Sequence, residues 1–453
     1  MAIQIQFPDI YKGFDSNMQA LYELHIAIDE TFGKQEWEFL REYYAEIFPL
    51  FGQDIDPFEI QGILERLIKI DADDDALNYQ KILNAMNVED NAYILKNGQY
   101  VMAKEYQDGL KDWAKDNPRS ANRFFRAFLK TQRQSIFKSE LSRQGLLLSA
   151  VSQFEFLMLH LLHAHFSNYE RDIELPENYV IEDLDEAICQ RLEKRNIRQV
   201  GIDEKINFLT SKYPLQEFNR AKWREIIERR NVFAHRSGRA NETYVNANKA
   251  FLKTGQTINI DDRLRISKSY LKDAIEYLHS WGLVLCQKVW EKAEGEDAKA
   301  GYGVTNTVMA MIRRERPEFG EKISHYMLKN LQSLSQYNKD ILNINYAICM
   351  DRQGKNIAKM KRLGKIRQTP RQHTPDTVKK AHIEIVDEPL SARVLMAINA
   401  LEGNMQRSLD FMEQAADAGE ITFLDLDYWV IFDYLRDEPR FQKIQDELET
   451  KIR

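Results

Sequence analysis

The sequence predicts a mainly α-helical protein, and two observations carry that expectation. Glycine (19) and proline (11) are scarce in 453 residues, which disfavours a β-sandwich or a loop-rich scaffold. Apolar residues recur at three- and four-residue spacing over long stretches, the period of a helix with one buried face. The clearest hairpin cue is Tyr93 to Met102, where Asn97-Gly98 separates two short apolar runs. A chain of this length exceeds one compact core, so two or three domains are expected.

Residues 1–143 read as an N-terminal helical domain with that hairpin. Two amphipathic stretches, Pro57 to Ile70 and Asp75 to Met86, precede it. Helix, helix, hairpin is the order of a winged helix, and also of many domains that touch no DNA. Pro118 to Arg143 holds seven Lys or Arg against one acid, Glu140, with Phe124, Phe125, Phe128 and Phe137 interleaved. Such a stretch could grip a nucleic-acid strand by phosphate pairing and base stacking. An amphipathic helix with its Phe residues in the core is the favoured reading.

Residues 144–293 read as a helical bundle. Leu146 to Phe166 is strongly apolar, with Ser152 and Glu155 as polar intrusions. Shorter helices are expected over Leu184 to Arg195 and Lys205 to Lys212, then a long one from Leu215, behind Pro214, to His235. Gly238 to Asp262 is polar, with short strands expected at Tyr244-Val245 and Thr257 to Ile260. A helix from Leu264 to Trp290 closes the bundle.

Residues 300–453 are helical again. The segment 355–380 carries nine Lys or Arg against Asp376, and reads as an exposed linker or mobile loop. Ala392 to Gly403 followed by Ser408 to Ala415 resembles a tetratricopeptide unit, and Leu435 to Phe441 resembles the end of such an array. Stacked repeats need several copies to be stable, and one convincing unit is present.

The formal charge of −7 excludes a general polyanion binder, so any nucleic-acid contact must be a local basic patch. Cys189, Cys286 and Cys349 lie far apart, unlike a disulfide framework or a zinc ribbon, and suit a reducing compartment. The N-terminus lacks the basic region and apolar core of a signal peptide, and no unbroken run of eighteen apolar residues occurs. A cytoplasmic protein without a membrane segment is expected.

One motif carries chemistry. Arg230, Asn231 and His235 form Arg-Asn-x-x-x-His at the end of the long helix, in the segment Arg230-Asn231-Val232-Phe233-Ala234-His235. This pattern, inside a bundle whose apolar helix bears the lone acid Glu155, resembles the HEPN superfamily. The resemblance covers about 150 of the 453 residues. It implies a HEPN-like bundle and a metal-independent endoribonuclease that cuts RNA by attack of the ribose 2′-OH on the neighbouring phosphate. It also implies a homodimer through the bundle, in a toxin-like or antiviral-defence setting, with no cofactor.

The residue chemistry agrees with that implication. Imidazole titrates near neutrality, so His235 suits a general base or acid. Arg230 offers planar paired donors to charge developing on phosphate oxygens. Asn231 could orient His235 or hydrogen-bond the phosphate, and Glu155 is an auxiliary candidate. Arg229, Arg236 and Arg239 are candidate RNA contacts, since residues 215–240 hold seven Lys or Arg against three acids.

Helical geometry adds a constraint. Asn231 and His235, four apart, share a face, whereas Arg230 and His235, five apart, diverge by about 140°. Either the helix breaks before His235, or two copies pool their residues. A bland reading stands beside these, because Arg and His at a helix C-terminus also complement the macrodipole.

Other signals are weaker. His160, His163 and His165 share one helix but sit among leucines and read as core or interface residues rather than metal ligands. Asp71 to Asp75 resembles the start of a calcium loop, but Leu77 and Ile82 occupy ligand positions. The alternative function is a non-catalytic HEPN scaffold for RNA binding or dimerisation, with the C-terminal helices holding a protein partner. A weaker third is DNA binding through the hairpin domain.

Overall fold

The computed structural model describes residues 7–47, 115–116, 118–169, 180–195, 197, 200–249, 257–294, 298–331, 334–368 and 390–450. The hairpin expected at 93–102, the acidic run 71–75 and the helices expected over 57–86 lie outside them. Within the described residues the protein is all helical, as the composition requires, with fifteen α-helices and no strand.

The helices are α1 (Phe7–Ile47), α2 (Pro118–Tyr169), α3 (Ile181–Glu193), α4 (Ile202–Lys212), α5 (Arg220–Arg236), α6 (Glu242–Asn248), α7 (Lys268–Glu294) and α8 (Ala298–Arg313). They continue with α9 (Pro317–Asn330), α10 (Gln336–Arg352), α11 (Asn356–Gln368), α12 (Ala392–Leu401), α13 (Met405–Asp417), α14 (Phe423–Tyr428) and α15 (Pro439–Thr450). A 3₁₀ turn, Val430–Tyr434, joins the last two. The chain divides into two compact units. One comprises Met1–Leu21, Leu148–Arg263 and Asp273–Arg453, and the other Tyr22–Leu147 with Leu264–Lys272.

The first unit carries every candidate site residue. Its core forms where the apolar face of α2 meets those of α5 and α7. Phe154 of α2 lies against Trp223 of α5, ring centroids 4.9 Å apart, and both are buried. Phe218 packs edge-on to Trp281 of α7, and Tyr277 of α7 donates to the Asn219 carbonyl at 2.8 Å. These contacts seat the start of α5, and α5 itself carries the candidate motif outward. The N-terminal turns of α1 close one side. Gly282 of α7 lies so close to the Phe14 ring that a Cβ there would come within 2.3 Å of it.

The C-terminal helices join the same unit through polar contacts as well as packing. Lys322 of α9 pairs with the buried Glu276 of α7 at 2.7 Å, and Asn330 Oδ1 accepts from the Gln216 backbone at 2.7 Å. Part of α2, Ser139–Tyr169, is long and apolar enough to cross a membrane, and more than half of its most apolar stretch is buried in the fold.

Several local expectations need correction. Tyr244-Val245 is not a strand but lies in α6, because Asn241 Oδ1 accepts from the Tyr244 N–H at 2.7 Å and starts a helix. Residues 257–260 form no strand either; the nearest β contact is an isolated bridge between Arg239 and Arg263. The first half of the basic segment 355–380 is α11, not a loop. Leu363 and Ile366 bury one face of it, and the Arg362 guanidinium lies 4.1 Å from the Tyr346 ring centroid. Residues 369–380 lie outside the described residues. The long helix starts at Arg220 rather than Leu215, since Asn219 caps it by accepting from the Lys222 N–H at 3.0 Å.

Candidate active site

The end of α5 is set by the backbone. Ser237 takes a left-handed conformation (φ 51°) and Gly238 follows at φ 82°. The Gly238 N–H returns to the Val232 carbonyl at 3.3 Å, so the helix stops just after Arg236. A left-handed serine costs about 1 kcal/mol relative to glycine, and the closure must offset that. The consequence is geometric. Helix α5 runs unbroken through His235, so Arg230 and His235 keep their divergence of about 140°. Of the two remedies, a break before His235 is therefore removed.

Arg230 is the braced member of the motif. Its Nη2 donates to Glu155 Oε2 on α2 at 2.6 Å, and its Nη1 donates to Asn231 Oδ1 at 3.0 Å. Glu155 and Arg230, 75 residues apart, are thus brought into direct contact. The guanidinium is a fifth exposed and Glu155 a third, so the pair sits at the rim of the fold, open on one side.

Asn231 turns to Arg230 rather than to His235. The arginine stem is long enough to fold back over one residue, and an ionised donor outcompetes an imidazole for the amide oxygen. His235 is exposed and makes no hydrogen bond among the described residues. Arg236 is exposed, with its Nη2 4.0 Å from Asp261 Oδ1, and Arg239 is exposed and donates to the Asp261 carbonyl at 3.3 Å. Arg236 and Arg239 thus flank His235 at the helix end, and the contact of Arg236 with the Asp261 carboxylate is an exposed one.

Arg229 points the other way. Its Nε donates to Glu225 Oε1 at 2.6 Å and its Nη2 to the Tyr244 hydroxyl at 2.7 Å; that hydroxyl donates in turn to Glu225 at 2.9 Å. Glu225 is buried, so this triangle neutralises an interior acid and locks α6 against α5. Burial first, then the Glu225 charge, pushes the Tyr244 hydroxyl well above its ordinary value, which keeps it a neutral donor. Arg229 therefore braces the site from within, and the sequence-based grouping with Arg236 and Arg239 does not describe its position.

Two acids outside the motif, Asp203 of α4 and Glu228 of α5, stand beside these residues. Asp203 of α4 accepts from the Trp223 indole N–H at 2.8 Å and lies 3.7 Å from the Arg224 Nε. Glu228 stands three residues before Asn231, a spacing that could have singled it out on a helix face. Burial and the Asp203 charge raise the Glu228 carboxyl above its ordinary value, while a hydrogen bond with the Asn231 side chain and the Arg224 charge pull it back.

The histidines of α2 have other occupations. His165 is buried and shares a hydrogen bond with the Tyr213 hydroxyl at 2.9 Å, and His160 meets the Phe156 ring edge-on at 4.4 Å. Among the described residues no three His, Cys, Asp or Glu side chains cluster as metal ligands. Compared with known proteins, the chain matches no protein-family model, no curated protein and no solved structure.

Proposed function

We propose that the chain is a HEPN-type endoribonuclease, acting as a toxin or antiviral-defence effector that cleaves RNA by 2′-OH attack. One observation carries this reading: Arg230, held by Glu155 and Asn231, stands in the same helix end as an exposed His235 flanked by Arg236 and Arg239. The braced guanidinium would stabilise charge growing on the phosphate at little reorganisation cost. His235, facing solvent, would take the 2′-OH proton or deliver one to the leaving oxygen. Arg236 and Arg239 would hold flanking phosphates. Because α5 is straight through His235, one copy presents Arg230 and His235 in different directions. A second copy would supply the complementary residue, so the working enzyme is a homodimer on this reading.

A second reading has its own observation. Both terminal nitrogens of Arg230 already have protein partners, as an arginine would whose task is to tie α5 to α2. On that reading the bundle is a non-catalytic scaffold that binds RNA or dimerises, and the C-terminal helices hold a protein partner.

Cleavage decides between them. Wild type, Arg230→Ala and His235→Ala are incubated with labelled RNA in EDTA. The enzyme reading expects cleavage by wild type alone, leaving 2′,3′-cyclic phosphate ends; equal behaviour of all three proteins would falsify it. Growth arrest on overexpression, relieved by either substitution, tests for an enzyme that needs a cellular activator.

A further inference from the structure

We propose that the cavity between the ends of α8 and α10, the start of α9 and the 3₁₀ turn binds a free α-amino acid with an aliphatic side chain. This site lies in the C-terminal helices and stands independently of the endoribonuclease reading. The cavity measures about 450 Å³, within the range of small-molecule pockets. Its walls divide by chemistry. Ile312, Pro317 and Val430 form the apolar part, and no aromatic ring lines it. Such a wall suits an aliphatic side chain better than a nucleobase, which binds best against an aromatic face.

The polar part holds two guanidiniums, Arg313 and Arg352, each fixed by one contact and lying beside a tyrosine. Arg352 Nη2 donates to Asp433 Oδ2 at 3.2 Å, and its guanidinium lies 5.9 Å from the Tyr434 ring centroid. Asp433 Oδ1 accepts from Arg436 Nε at 3.2 Å, so both oxygens of that acid are engaged. Arg313 donates to the Asp427 backbone carbonyl, and its guanidinium lies 5.4 Å from the Tyr428 ring centroid. A carbonyl carries no net charge, so Arg313 keeps its charge without a carboxylate partner among the described residues. The opposite charge on the wall is Glu315, whose carboxylate has no hydrogen bond or ion pair among the described residues. Its backbone is left-handed (φ 55°) in the turn that ends α8, where the Arg316 N–H returns to the Met311 carbonyl at 2.9 Å. Glycine is the residue of least strain at such a position. A glutamate held there, at the wall of a cavity, has a task for its side chain that offsets the strain.

An unmatched cation and an unmatched anion beside an aliphatic wall complement a zwitterion. The carboxylate of the amino acid takes Arg313 and the nitrogens of Arg352 that Asp433 leaves over. Its ammonium meets Glu315, and its side chain covers Ile312, Pro317 and Val430. A phosphate dianion would be repelled by Glu315, and the C-terminus of a peptide would leave Glu315 unmatched.

The test is calorimetric titration of the full chain with L-leucine, L-isoleucine and L-valine. Expected is saturable binding of at least one of them. The matching N-acetyl amino acid, which lacks the ammonium, and the matching amide, which lacks the carboxylate, should each bind about tenfold more weakly or worse. Arg313→Gln and Glu315→Gln should each lower the affinity by a similar factor, and Glu315→Gln should also abolish the preference over the N-acetyl form. Glu315→Gly relaxes the backbone, so it keeps the fold and still loses the affinity. Absence of saturable binding for all three amino acids overturns the proposal. So does a Glu315→Gly protein that binds as wild type does. An N-acetyl amino acid that binds as tightly as the free one overturns it as well, and would assign the cavity to a peptide C-terminus.

Discussion

Two groups of arginines in this protein look alike in sequence and behave differently in the fold. In the C-terminal helices two of them are held by acids or by carbonyls beside them. Arg440 of α15 meets both oxygens of Glu413 at 2.8 and 2.6 Å and Asp410 at 2.6 Å, and that fork holds the Glu413 carboxyl below its ordinary value. Arg393 of α12 donates to the Glu420 carbonyl and to Asp425 Oδ1 while lying 4.8 Å from the Trp429 ring centroid. At the end of α5 the pattern splits. Arg229 and Arg230 are met by Glu225 and Glu155, and beyond them His235, Arg236 and Arg239 reach solvent. Basic composition alone therefore says little about nucleic-acid contact. What marks a candidate site is positive charge left over after the fold has taken its share, beside one arginine held in place.

The comparison can be broken where it is strongest. Replacing Arg230 or His235 with alanine should lower RNA cleavage by about a thousandfold, roughly 4 kcal/mol of transition-state stabilisation, with a melting temperature near that of wild type. A similar loss from Arg393→Ala, measured in the same assay, would erase the distinction between the two groups.

Next in size is Arg229→Ala. It removes the guanidinium that pairs with Glu225, which is 2% exposed. A cost of about 3 kcal/mol in unfolding free energy follows, measurable by urea denaturation. A cost near zero would mean that Arg229 is a surface residue like Arg236. Arg393→Ala should cost about 2 kcal/mol for its charged hydrogen bonds, with cleavage per folded molecule unchanged.

Arg236→Ala and Arg239→Ala should each weaken RNA binding by about three- to tenfold and shallow the salt dependence by about one counterion. Filter binding across a range of salt measures both. An unchanged slope would place these residues outside the RNA path.

The smallest effect concerns Glu228 and pH. Its folded-state carboxyl titrates above the ordinary 4.5, through burial and the Asp203 charge. The folded state thus holds that proton more readily than the unfolded chain. Stability is lost as pH rises from the ordinary value through the raised one, and the full cost is present at neutrality. Glu228→Gln should raise the melting temperature slightly at pH 7, a gain that disappears below about pH 4. Thermal scans at the two pH values check the sign, and a gain that grows on acidification would reverse it.

Part of this architecture was legible in the chain. Scarce glycine and proline with long three-four periodicity required helices, and the described residues contain helices only. The motif at 230–235 and the lone acid Glu155 were legible as residue types, because a carboxylate in an apolar helix demands a partner. The strand expected near 244 failed because the Asn241 cap outweighed the β-branched Thr243 and Val245 around Tyr244, and at 257–260 Asn259 and Asp262 close a turn instead. The loop expected over 355–380 failed for 356–368 because charge count says nothing of the two apolar residues, Leu363 and Ile366, that bury α11.

The sequence by itself determined the helical class, the spacing of Arg230, Asn231 and His235, and hence their angular separation, since local backbone geometry depends only on near neighbours. The tertiary structure decided which acid meets which arginine. Glu155 lies 75 residues from Arg230 and Tyr244 lies 15 from Arg229, and packing of α2 and α6 on α5 chose those partners. It also decided that Asn231 serves Arg230, whose other nitrogen is held by Glu155. Hydrogen bonds are short-ranged and directional, so such choices appear only once helices are placed against one another.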